Sequence, residues 1–132
     1  MRVVFDTNIF ISAVILHGNE SKLLIAAHNG IFKLVTSLSI LKEFKEVISR
    51  SKFGFSNDQI KNLILHIIEI SEIVEPNIRL DMVKDDPADN KILECAVYSK
   101  ADLIISGDKH ILNLKKIKGI PIIKSSELLQ RL

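Results

Sequence analysis

The residues of this chain whose types and spacing could do chemistry are four acids, Asp6, Glu43, Asp89 and Asp108. The sequence puts Asp6 at the end of a first strand, Glu43 on a helix, Asp89 at the opening of a later helix and Asp108 just past a late strand. In a parallel α/β sheet those positions converge, because helix starts gather outside the carboxyl ends of the strands. Carboxylates brought together there repel one another and raise each other's pKa unless a cation neutralises them. The implied chemistry is a set of oxygen ligands for a hard divalent ion, Mg2+ or Mn2+ in preference to Zn2+. None of the four histidines, His17, His28, His66 and His110, has a sequence neighbour at zinc-motif spacing. They read as surface or boundary residues, with His110, beside Asp108, placed to face a substrate. Taken singly, each acid has a purely structural explanation: a strand-end turn at Asp6, an exposed helix position at Glu43, an N-cap at Asp89, a loop beside Gly107 at Asp108. The run Asp81, Asp85, Asp86 and Asp89 reads on charge alone as a solvated loop. Only the joint pattern suggests a site.

The elements that must position these acids alternate along the chain. Strands are expected at 2–6, 32–36, 72–75, 102–106 and 120–123, and helices at 8–16, 20–29, 39–50, from Ser56 with an inner face running to Ile68, 88–100, 111–114 and 125–132. Ser56 and Gln59 form a capping box, Gly30 ends the second helix, and 77–87 is polar loop. This order predicts an α/β fold with a parallel sheet and helices on both faces. On the 39–50 helix Glu43 falls at the edge of the apolar stripe of Ile40, Leu41, Phe44, Val47 and Ile48, half turned toward the core. The 132 residues suit one domain, 1–132, and 47% hydrophobic with 26% charged residues suits a soluble globular protein. Apolar runs fall short of the roughly 20 residues that span a bilayer, and no signal-peptide pattern opens the chain, so the expected location is the cytoplasm. The one cysteine, Cys95, excludes an intrachain disulfide and reads as a buried helical thiol beside Leu93, Ala96 and Val97. A net charge of +2 permits a nucleic-acid partner without requiring one.

Four stretches, VVFDTNIFISAVI, LSILKEFKEVISR, DDPADNKILECAV and DLIISGDKHILNL, resemble in order and spacing the PIN-domain ribonucleases, in particular the small single-domain toxins of prokaryotic toxin-antitoxin pairs. The resemblance runs from Val3 to Leu128. It implies a three-layer sandwich whose five-stranded parallel sheet has the order 3-2-1-4-5, with the Asp6 and Asp108 strand ends side by side. It further implies a Mg2+- or Mn2+-dependent endoribonuclease whose acidic quartet is Asp6, Glu43, Asp89 and Asp108, with Asn8 and Ser106 orienting the acids and Asp86 an additional acid. Lys91 and Lys109 are the expected contacts to the phosphate backbone, with Lys115, Lys116 and Lys118 reading equally as a solvated basic loop. Partners implied are RNA and a cognate antitoxin. The apolar segments 8–16 and 23–27 point to a homodimer face or a groove for an antitoxin tail, or else to burial within the monomer. Other readings compete. A haloacid-dehalogenase-like phosphatase would need an acid where Asn8 stands, a receiver domain would take its phosphoacceptor Asp from a middle strand, where Val35 to Ser37 offers none, and a non-catalytic RNA- or protein-binding module would use the same fold without cleaving.

Overall fold

A computed structural model describes residues 1–79 and 90–132. In chain order the elements are β1 Arg2–Phe5, α1 Thr7–Ile15, α2 Asn19–His28, β2 Lys33–Ser37, α3 Leu38–Ile48, a 3-10 turn Ser51–Phe53, α4 Asn57–Ile70, β3 Ser71–Val74, α5 Asn90–Ser99, β4 Leu103–Ile105, α6 Lys109–Leu112, β5 Lys116–Ile117, β6 Ile120–Ile123 and α7 Ser125–Arg131. Asp86 and Asp89 lie outside the described residues.

The sheet has the order β3-β2-β1-β4-β6-β5, parallel throughout except for the β5–β6 pair. The expected order 3-2-1-4-5 holds, with Ile120–Ile123 as the fifth parallel strand. The addition is β5, in a stretch the sequence reads as a basic loop. Lys118 and Gly119 both have positive φ, 46° and 81°, as the tight loop of a two-residue hairpin requires, and they fold Lys116–Ile117 back onto β6. Connections through α1–α2 and α3–α4 step one way along the sheet, while the connection through α5 returns past β1. Right-handed crossovers therefore put α5 on the opposite face, where it packs on β1, β2 and β4.

Caps decide where the helices begin. Ser56 accepts from the Gln59 N–H at 3.1 Å while the Gln59 carboxamide accepts from the Ser56 N–H at 2.8 Å, the predicted capping box. Helix α1 begins one residue before the expected Asn8 because Asp6 itself caps it, and α6 begins at Lys109 instead of Ile111 because Asp108 caps it. One buried cluster runs from Val3 to Leu128, with Phe5, Phe10, Phe32 and Phe44 in contact at centroid distances of 5.3–6.1 Å. Each such ring removed from water contributes about 1.5–3 kcal/mol. Most of α1 is enclosed by α2, α3 and β1, leaving Ile15 and Leu16 exposed at its end. Cys95 is fully buried, and burial pushes its thiol up to about 12. Among the described residues no single helix is long and apolar enough to cross a membrane; α1 and α2 together reach that length but meet at 98°.

At the amino end of the sheet Arg2 closes a small network. Its guanidinium donates to both Glu72 oxygens at 2.7 and 2.8 Å and to the Ser99 carbonyl at 3.0 Å, while its N–H donates to Asp102.

Candidate active site at the carboxyl end of the sheet

Strands β1 and β4 are neighbours with Phe5 opposite Ile105, and the Asp6 N–H donates to the Ile105 carbonyl at 2.9 Å. Asp6 and Ser106 thus leave the sheet at the same level, where the chain steps away on either side of β1 and a doubly wound sheet opens its crevice. The fully buried Ser106 hydroxyl donates to Asp6 Oδ2 at 2.8 Å and accepts from the Asp108 N–H at 3.0 Å, so one side chain fixes both acids. The other Asp6 oxygen accepts from the Asn8 N–H at 3.4 Å. Asp108 Oδ1 accepts from the His110 and Ile111 N–H groups at 2.7 and 3.4 Å.

Glu43 comes to this end from α3, where its half-turned position was legible from the helix period. Its Oε2 accepts from the Thr7 hydroxyl at 3.0 Å and pairs with Lys91 Nζ at 2.9 Å. Asp6 is only 3% exposed. Burial raises its pKa above the ordinary carboxylate value, the negative charges of Asp108 and Glu43 push the same way, and the bonds from Ser106 and the Asn8 N–H oppose them. Asp6 therefore senses both Asp108 and Glu43 electrostatically.

Several expectations take a different form in the structure. The contact of Asn8 to Asp6 is through its backbone, and the residue is otherwise exposed. Lys91 is drawn to Glu43. Lys109 is exposed next to Asp108 at the start of α6. Thr7, 2% exposed, was not singled out by the sequence reading; the available signal was a hydroxyl residue between Asp6 and Asn8 at the first turn of an apolar helix. Among the described residues no group of three His, Cys, Asp or Glu side chains is arranged to enclose a metal ion. The donor set nevertheless suits a hard cation: all-oxygen ligands, one of them buried, with burial raising its pKa and its acidic neighbours adding to the effect.

Comparisons with known proteins bear on this end of the molecule. A sequence-family model for the PIN domain matches residues 2–110, a stretch that contains Asp6, Glu43, Ser106 and Asp108. The uncharacterized protein MJ1680 of Methanocaldococcus jannaschii is 35% identical over 119 residues, 87% of this chain and 76% of that protein. Among solved structures, a chain in the crystal structure of VapBC2 from Rickettsia felis bound to a DNA fragment from their promoter superposes with a TM-score of 0.66 at 17% identity, covering 94% of this chain and 98% of that one. PAE2754 from Pyrobaculum aerophilum superposes with a TM-score of 0.60 at 15% identity, covering 98% and 87%. At such identities the two structures speak for the fold. With the family match spanning most of the sequence and the acid-bearing strand ends inside it, this chain belongs to the PIN domain family.

Proposed function

We propose that this chain is a divalent-metal-dependent endoribonuclease that hydrolyses RNA phosphodiester bonds, working as a single domain over 1–132 in the cytoplasm as the toxin component of a toxin-antitoxin pair. The observation that carries the reading is the Asp6–Ser106–Asp108 relay, which holds two acids at the switch point of the sheet with Glu43 close enough to perturb Asp6. Asp6 and Asp108 would hold Mg2+ or Mn2+, with Glu43, Asp89 and the additional acid Asp86 completing the oxygen set. When bound, the ion supplies Lewis acidity and positive charge against the charge that develops on the phosphoryl oxygens. The chain's own part is positional. Ser106 locks the Asp6 rotamer, the backbone N–H groups of α6 lock Asp108, and the buried floor keeps water from screening Asp6. Lys109, exposed beside Asp108, is the contact for an incoming phosphate.

A second reading has one observation in its favour. The Lys91 ammonium already neutralises Glu43 without any metal, as suits a non-catalytic RNA-binding module. The antitoxin assignment draws support from the VapBC2 likeness in fold and from exposed apolar residues on α2 and just after it, Ile25 and Ile31. Incubating labelled single-stranded RNA with the protein in Mn2+ and in chelator separates the readings. The expected result is cleavage in Mn2+ only, lowered by at least about a hundredfold in Asp6→Asn, as when a metal ligand or its partner is lost. Cleavage that persists in folded Asp6→Asn, or RNA binding with no cleavage under any metal, defeats the nuclease.

A further inference from the structure

Away from the acids, two imidazoles that lie 38 positions apart in the sequence meet. His28 Nδ1, on the last turn of α2, is 3.0 Å from His66 Nε2, in the middle of α4, with ring centroids 5.1 Å apart and planes at 52°. One nitrogen donates to the other, so the acceptor already aims its lone pair at its partner, and the donor ring presents a second lone pair there once its proton moves to its other ring nitrogen. We propose that His28 and His66 form a second metal site, selective for a borderline transition-metal cation of the Zn2+ class.

Two nitrogens on one tetrahedral zinc, each about 2.0–2.1 Å from the ion, lie roughly 3.3–3.4 Å apart. The observed 3.0 Å is a few tenths shorter, so a small outward turn of the rings admits the ion where the shared proton now sits. The two helices set this geometry beforehand. His66 is half-buried beside the fully buried Ile67, while His28 is open to solvent and gives the ion its entry. Beside the pair opens a hollow of about 380 Å³ lined by His17, Ser21, Leu24 and Ile25; His17 does not join the pair in a three-ligand cluster, so the remaining positions on the ion fall to water. His28 also lines a hollow with Met1 and Lys33 at the amino ends of the strands, so the pair lies at the far end of the sheet from Asp6. Imidazole nitrogen favours Zn2+, Cu2+ or Ni2+, whereas the acid cluster favours Mg2+ or Mn2+, and the two sites sort ions by ligand chemistry. An ion bridging His28 and His66 would tie α2 to α4.

Tag-free protein, saturated with Mg2+ to occupy the acid end, is titrated with Zn2+ by calorimetry and with Co2+ by visible absorption. One equivalent is expected to bind the wild type and Asp6→Asn alike. His28→Ala and His66→Ala, each checked for folding by circular dichroism, are expected to weaken binding by at least about tenfold, the lower end of what losing even a supporting partner costs a metal site. The double variant is expected to lose both the absorption band and any Zn2+-dependent rise in melting temperature. Binding unchanged in either single variant overturns the site, as does binding that disappears in Asp6→Asn while both histidines are present.

Discussion

At Asp6 the sequence sets a carboxylate where burial, Asp108 and Glu43 all disfavour its charge. The sign of the consequence follows from linkage. A carboxyl whose folded pKa is raised contributes stability below its unfolded value of about 3.8–3.9, and that contribution is lost as pH rises through the folded value. In chelator at pH 7 the ionised Asp6 therefore opposes folding, and Asp6→Asn is expected to melt at a higher temperature than the wild type. The difference should shrink toward zero as the pH is lowered below the ordinary carboxylate range. Scanning calorimetry of both proteins across pH decides it, and a less stable Asp6→Asn at pH 7 in chelator contradicts the raised pKa. The strand-end acids were legible because their spacing from predicted strands fixes their place, and Glu43 was legible from the helix period. Thr7 as partner to Glu43, and Lys91 as its counter-ion, were not. Those pairings join residues 36 and 48 positions apart, and no local pattern encodes them.

Among the elements, the long periodic helices and the five parallel strands could be read from hydrophobic pattern, with errors at their ends. The helices opened by Asp6 and Asp108 start early because a residue assigned to chemistry also serves as the cap. Strand β5, two residues long, carries no periodicity at all; its signal was the Lys118–Gly119 turn. The expectation for α1 needs redistribution. Ile11 is 6% exposed inside the monomer, so replacing it by Glu would unfold the protein before it tested an interface, whereas Ile25 on α2 is 59% exposed. If α2 forms the homodimer face, light scattering at low micromolar concentration will show a dimer for the wild type and a monomer for Ile25→Glu, with circular dichroism unchanged. A wild-type monomer under these conditions removes the homodimer and leaves the apolar face to an antitoxin.

The whole molecule is electrostatically lopsided along its strands. At the amino end the Arg2 guanidinium satisfies Glu72, lowering the glutamate pKa through their hydrogen bond, and reaches the Ser99 carbonyl as well. At the carboxyl end the acids are crowded, and Lys91 compensates Glu43 alone among those described. An ion that binds only the folded state stabilises it by about 2.7 kcal/mol at a hundredfold excess over its Kd, so millimolar Mn2+ is expected to raise the melting temperature by several degrees. The Asp6→Asn, Asp108→Asn double variant should lose most of that response. No shift for the wild type at pH 7 argues against a formed site. The buried, crowded Asp6 also sets a direction for mutational drift. If Asp6 carries the proposed activity, a gene copy released from selection on that activity is expected to gain folding stability when this buried acid is neutralised, so its loss of function would run downhill in free energy.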